Sequence, residues 1–174
     1  MIINEGKYEI CPNNIIVKPL TKTTKSDIIK LEEVIKMLDK VQYWLDLCDD
    51  NLITAKWLIK GKRYLDTAFF CHQITEKALK AVVASVTAET PPKIHDLHKL
   101  AMRGNISSQL TDSQRTFLNS IAGYQIEARY PEEKERIAKT LTAEICKQYL
   151  DETEEFLCWI KKKLEKSLES MPTK

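Results

Sequence analysis

The stretch Ala68-Phe-Phe-Cys-His72-Gln-Ile-Thr-Glu76-Lys-Ala-Leu-Lys80-Ala81 decides the fold of this chain. Residues His72, Glu76 and Lys80 are spaced four apart, so in a helix they form one polar ladder. A second side of the same helix is apolar and carries Phe69, Leu79, Val83 and Val86. The pattern therefore predicts a helix that packs into a core on one face and presents an ordered row of polar side chains on another.

The remaining sequence is also typical of helices. Only four of 174 residues are glycine, and 43% are hydrophobic, which favours helix over sheet. Apolar residues recur every three or four positions from Ile28 to Ile59, which predicts one long helix, or two with a bend near residue 40. Gly61 is expected to end this segment, and the ladder helix follows over about residues 63–88.

Proline and glycine residues separate the later segments. Pro91-Pro92 stops the ladder helix, a short helix is expected at residues 95–102, another begins near Thr111, and the last ends near Ser167. We therefore expect an all-α protein, an antiparallel up-and-down bundle of four to five helices over residues 41–168. Residues 1–40 are expected to be an N-terminal extension (an irregular segment plus helix), and residues 169–174 a tail.

The composition excludes several classes of protein. A net charge of +2 argues against a dedicated duplex-DNA binder. No leader pattern and no apolar run of membrane-spanning length is present. The five cysteines include no Cys-x-x-Cys pair, which indicates a reducing, cytoplasmic setting without disulfides. With only three histidines, we expect no metal site and no cofactor.

Four segments in order carry a resemblance to a known family: Gly61-Lys-Arg-Tyr64, the block Phe70–Ala81, His95-Asp96-Leu97, and Ala128-Arg129-Tyr130-Pro131. Their order and spacing resemble the HEPN domain family over residues 43 to about 165. The resemblance implies a helical bundle, usually a homodimer, and a small nucleotidyltransferase as its partner in pairs that look like toxin and antitoxin. Many members are metal-independent ribonucleases whose signature is Arg, then four to six residues, then His.

This chain departs from the ribonuclease signature. Its histidines are His72, His95 and His98, and Arg63 precedes the first by nine positions, with eight residues between them. No histidine follows Arg129. The chain looks more like a branch of the family with Arg-Tyr-Pro in that place, for which a nucleotide-binding or partner-binding role is implied. We therefore expect no catalytic residues of the usual kind.

Each candidate side chain has a structural interpretation beside the functional one. The ladder is either a surface ion-pair row of about 0.2–0.5 kcal/mol per pair, or a phosphate site in which Lys77 and Lys80 hold the anion. Asp96 is either the N-cap of a short helix or the group that sets the tautomer of His95. Arg129 either pairs with an acidic neighbour such as Glu76 or binds a phosphate.

The sequence therefore predicts a site for a nucleotide or an RNA phosphate. Its expected ligand-binding residues are His72, Lys77, Lys80, His95, Arg129 and Tyr130, with Glu76 and Asp96 in support. One alternative is a ribonuclease that uses His95, His72 and Arg129 as acid, base and cation. The other is a module for dimerisation or interaction, in which the ladder only supports an interface.

Overall fold

The computed structural model describes residues 24–124 and 140–169, apart from the side chain of Asp27. Arg129, Tyr130 and Pro131, and with them one part of the predicted site, lie outside the described residues. Among the described helices, none combines the length and the apolar character that crossing a membrane requires.

The described residues form α-helices and one short 3-10 helix, and no strand is found among them. The α-helices are α1 (Lys25–Lys60), α2 (Tyr64–Thr87), α3 (Leu97–Arg103), α4 (Asp112–Ile121) and α5 (Ala143–Glu169), and the 3-10 helix is Ser107–Gln109. The predicted all-α fold is confirmed. Helix α1 is continuous across residue 40, so the alternative of two helices with a bend is wrong.

The turn between α1 and α2 is closed by backbone hydrogen bonds. The amide of Arg63 donates to the carbonyl of Leu58, and that of Lys62 donates to Ile59. This is a Schellman motif, in which one residue adopts a left-handed conformation. That residue is Lys62, with φ 57°, and not Gly61, where the sequence placed the end of the helix.

Helix α2 lies at the centre of the bundle and packs against α1, α3, α4 and α5. Its polar ladder is therefore inside the protein: His72, Glu76 and Lys80 are 1%, 3% and 6% exposed. The expectation of one apolar and one solvent-facing side is wrong for α2, because neighbouring helices cover both. Val86, expected in the core, is half exposed near the end of the helix.

The first third of α1 has few neighbours in the described structure. Ile28, Leu31 and Ile35, which the periodicity places on a packing face, are each about half exposed. The ammonium of Lys40 donates to the carbonyl of Ala88 at 2.7 Å, so α2 ends alongside residue 40 of α1. The preceding turns of α1 therefore extend past the end of α2. The first buried apolar side chain of α1 is that of Met37.

Candidate functional site

The carboxylate of Glu76 is the centre of a buried polar cluster. Lys80 Nζ lies 2.7 Å from Oε1, and His95 Nδ1 lies 3.0 Å from Oε2. His72 Nε2 lies 3.4 Å from Oε2, within the range of an ion pair. We call these four residues the Glu76 cluster. His72, Glu76 and Lys80 lie on one stripe of α2 because they are spaced four residues apart. The fourth member, His95, lies in the loop between α2 and α3.

His95 is delivered by the segment that joins α2 to α3. Helix α2 ends at Thr87 and is followed by its C-cap residue, Ala88, which takes a left-handed conformation with φ 55°. His95 lies two residues before Leu97, the first residue of α3. Asp96, between them, caps α3 by accepting a hydrogen bond from the amide of Lys99 at 3.0 Å. The cap fixes the start of α3, so the imidazole of His95 is held between a proline-containing loop and a helix end.

The proton positions on His95 follow from its partner. A carboxylate only accepts hydrogen bonds, so Nδ1 of His95 carries a proton and donates it to Glu76. The side chain of His95 is half exposed, whereas that of Glu76 is 4% exposed. Of the two interpretations of Asp96, capping is the one that the structure has, and Glu76 is the residue that orients the imidazole of His95.

A hydrogen bond of His72 connects the Glu76 cluster to the end of α4. Its Nδ1 lies 3.1 Å from the carbonyl oxygen of Ile121, which can only accept, so this nitrogen also carries a proton. Its other nitrogen, Nε2, faces Glu76 but has no hydrogen-bond partner among the described residues. At 3.4 Å the contact with Oε2 is therefore electrostatic and lacks the alignment of a hydrogen bond.

The surroundings of Glu76 stabilise its ionised form. Burial by itself raises the pKa of this carboxyl, because a charge is costly away from water. The contacts with His72, Lys80 and His95 act in the opposite direction and together outweigh burial, which lowers the pKa of Glu76 to about 2. At neutral pH the cluster therefore contains a carboxylate inside the protein.

The lysines of the ladder have different partners. Lys80 Nζ lies 5.2 Å from the centre of the Trp44 ring, so an aromatic face on α1 covers the Lys80–Glu76 pair. Lys77 instead donates to Gln73 Oε1 at 2.8 Å. Burial lowers the pKa of Lys77, and the Glu76 carboxylate acts against that shift.

The charge of the Glu76 cluster depends on its two imidazoles. Glu76 contributes −1 and Lys80 contributes +1, which leaves zero with both imidazoles neutral and +2 with both protonated. His95 has the half-exposed side chain of the cluster, and its second nitrogen, Nε2, is not the one that contacts Glu76. It accepts a proton when the ring is neutral and donates a hydrogen bond to an anion when the ring is protonated.

A shallow groove between α4 and α5 is a separate feature. Its lining includes Gln114, Glu152 and Glu155 and no member of the Glu76 cluster. The two glutamates make this groove unsuited to an anion. Within residues 24–124 and 140–169, no group of three or more metal-ligating side chains is placed to hold a metal ion.

The structure brings together His72, Lys80 and His95 from the predicted ligand-binding set, and Glu76 from the supporting set. Lys77 is bonded to Gln73 on the same helix. Sequence reasoning missed two groups, the ring of Trp44 and the carbonyl of Ile121. A sequence pattern does not predict which backbone carbonyl accepts a hydrogen bond from a distant side chain. Nothing in the sequence distinguishes Trp44 from the other apolar residues of α1.

A comparison with protein families gave a match. The model of the HEPN domain matches residues 41–164, which is more than half of the chain and includes every described member of the Glu76 cluster. Comparisons with curated proteins and with solved structures gave no match.

Proposed function

We propose that this chain, which belongs to the HEPN domain family, binds the phosphate group of a nucleotide or of RNA at the Glu76 cluster, without cleaving it. One observation carries this proposal: a half-exposed imidazole, that of His95, is oriented by a buried carboxylate that also contacts the ammonium of Lys80 and the imidazole of His72. Lys80 offsets the charge of Glu76, so protonation of His95 adds a positive charge at the surface. Charge-assisted hydrogen bonds from such a group are the stronger ones in proteins.

The other predicted contacts have different degrees of support. Lys80 is nearly buried and bonded to Glu76, so it contributes charge to the site more than direct contact. Lys77 donates one of its three ammonium protons to Gln73. Arg129 and Tyr130 stay predictions of the sequence. Arg129 follows Ile121 by eight residues, a length of chain that spans at most about 28 Å, so chain length permits its contact with the site.

Calorimetric titration with adenosine monophosphate and with a short RNA oligomer tests the proposal. We expect His95→Ala to weaken binding about tenfold or more, the effect of losing one charge-assisted hydrogen bond. The matched control is His98→Ala, since His98 is a surface histidine three residues further on that contacts Asn119 Oδ1 at 2.7 Å. Unchanged binding by His95→Ala, or an equal loss in both variants, contradicts the proposal.

A second candidate, ribonuclease activity, is favoured by one contact. The Glu76–His95 hydrogen bond has the arrangement in which a carboxylate orients an imidazole for proton transfer. The same structure weakens the second half of that mechanism, because His72 is 1% exposed and bonded to a backbone carbonyl. RNA cleavage that disappears in His95→Ala and persists in His98→Ala is the result that would favour the enzyme.

The family resemblance adds a protein partner, a small nucleotidyltransferase, in a toxin–antitoxin-like pair. Its support is the resemblance alone, and co-purification with the product of an adjacent nucleotidyltransferase gene tests it.

The proposal includes a cytoplasmic setting, which is supported by the free, buried thiols of Cys48, Cys71 and Cys146.

A further inference from the structure

The start of α1 exposes a group of large apolar side chains. Every side chain that the structure describes between Thr24 and Lys36 is exposed. Ile28, Leu31 and Ile35 are three and four residues apart, so they share one face of the helix. Large apolar side chains grouped on an exposed helix face are typical of a contact surface. Five residues of this kind are each between 37% and 50% exposed: Ile28, Ile29, Leu31, Val34 and Ile35.

Helix α5 ends before it reaches this face. Lys161 Nζ lies 2.7 Å from Asp49 Oδ1, and Lys56 Nζ lies 2.9 Å from Glu154 Oε2. These two pairs show that α5 runs antiparallel to α1. The last residue of α5, Glu169, is eight residues beyond Lys161 and therefore lies alongside about residue 41 of α1.

Helix α2 ends at the same level, since Lys40 of α1 contacts the carbonyl of Ala88 directly after α2. Residues 25–36, a length of about 18 Å, therefore extend beyond both helices against which the rest of α1 packs. They also precede residues 41–164, which match the HEPN domain. The exposed face is thus an addition to the domain that the family shares.

The charges around this face do not favour a lipid surface or a nucleic acid as its occupant. Residues 25–40 contain four lysines and four acidic residues, so they have no net charge. Attraction to an anionic membrane or to a phosphate backbone requires an excess of basic residues. A short apolar segment of protein fits the face better.

The chain itself has such a segment directly before α1. Ile15-Ile-Val17 and Leu20 are apolar, and Pro19 favours an extended backbone at the residue before it. A chain that reverses after residue 22 and runs back at about 3.3 Å per residue brings Leu20 alongside about residue 29 of α1 and Val17 alongside about residue 36. These levels coincide with the two ends of the apolar face, Ile28 and Ile35.

We propose that residues 15–20 of this chain fold back along the start of α1 and cover the face formed by Ile28, Leu31 and Ile35. Leu20 packs near Ile28 and Leu31, and Val17 packs against Ile35. The contact removes apolar surface from water on both sides. It stabilises the outer turns of α1, because most of the stability of a helix in a protein comes from the packing of its apolar face.

Hydrogen exchange of the full chain, followed by mass spectrometry, tests whether the start of α1 is covered. We expect Val17→Asp to speed amide exchange in residues 25–36 at least about tenfold, because the outer turns of the helix then open more often. Ile3→Asp is the matched control, since it places the same charge before α1 but outside the proposed contact, and it should leave the exchange rates unchanged. Unchanged rates in Val17→Asp, or an equal increase in both variants, overturn the proposal.

Disulfide trapping tests the identity of the occupant. In a chain with Cys11 and Cys158 replaced by serine, Val17→Cys combined with Ile35→Cys should form a bridge within one chain on mild oxidation. The control combines Val17→Cys with Glu33→Cys, because Glu33 is exposed on the opposite face of α1 at nearly the same level. Equal bridging of the two pairs would show that residue 17 has no preferred face. Bridges between two chains would show that a second copy covers the face, and either result overturns the proposal.

Discussion

His95 and Glu76 are 19 residues apart in the chain, and yet Nδ1 of His95 lies 3.0 Å from Oε2 of Glu76. The contact joins the loop before α3 to the centre of α2. It also joins a half-exposed side chain to a buried one.

Removal of the Glu76 carboxylate is expected to destabilise the fold strongly. Glu76→Ala leaves the buried ammonium of Lys80 without its counter-ion, a situation that costs about 3–5 kcal/mol. Urea unfolding followed by circular dichroism measures the change. The control is Glu154→Ala, since Glu154 pairs with Lys56 at the surface and such pairs contribute at most about 1 kcal/mol. Equal losses in the two variants would show that the Glu76 pair is not buried in solution.

Replacement of both Glu76 and Lys80 tests whether the cost of Glu76→Ala comes from the charge that it leaves unpaired. In Glu76→Leu with Lys80→Met, no uncompensated charge remains in the interior, so stability should exceed that of Glu76→Ala. A double variant that is less stable than Glu76→Ala would show that the Glu76–Lys80 pair stabilises the fold by more than the neutralisation of its two charges.

Stability should also depend on pH through Glu76. Its pKa is about 2 in the folded protein against an ordinary value of 4.5, so the folded state favours the ionised form. The resulting stabilisation, about 3 kcal/mol, is complete above the ordinary pKa and is lost as the pH falls from 4.5 towards 2. The measurement is the difference in unfolding free energy between wild type and Glu76→Gln across that window. A constant difference would contradict the low pKa.

Gly104, at the end of α3, should not tolerate a side chain. A Cβ at this position lies 2.9 Å from Cγ1 of Val82 on α2, too close for an ordinary contact. We expect Gly104→Ala to cost about 1–3 kcal/mol in unfolding free energy, and Val82→Ala to relieve part of that cost. Gly61→Ala is the control, because its Cβ meets nothing nearer than the Leu58 oxygen at 3.5 Å. A larger loss for Gly61→Ala than for Gly104→Ala would refute this packing.

Lys62 is expected to be a site of stabilisation. Its φ of 57° is unfavourable for a side chain and natural for glycine. Lys62→Gly should therefore raise the free energy of unfolding by about 1 kcal/mol. Lys62→Ala keeps the unfavourable conformation and should give no such gain. Thermal unfolding of the two variants side by side checks the difference.

The boundaries of the helices were predictable because local signals mark them. Asp96 at the start of α3 and Thr111 before α4 are both caps in the structure, and Thr111 also forms a capping box with Gln114. Pro91 follows the end of α2 by a few residues. Such signals act within one helical turn, so they are readable without knowledge of the tertiary fold.

The burial of the ladder was not predictable in the same way. His72, Glu76 and Lys80 have the spacing of a surface ion-pair row, and their partners come from elsewhere in the chain. Trp44 covers Lys80, and the Ile121 carbonyl accepts from His72. A stripe of charges becomes an interior feature only when distant segments supply these contacts, and the spacing within one helix carries no information about them.

The distribution of the cysteines has a practical consequence. Cys48, Cys71 and Cys146 are buried, and burial raises the pKa of the Cys48 and Cys71 thiols to about 12, so they are almost entirely protonated near neutral pH. Cys158, on the outside of α5, is exposed. Once Cys11 is replaced by serine, a maleimide fluorophore should therefore attach to α5 at a single position in the native protein, which gives a ready reporter for distance measurements by energy transfer.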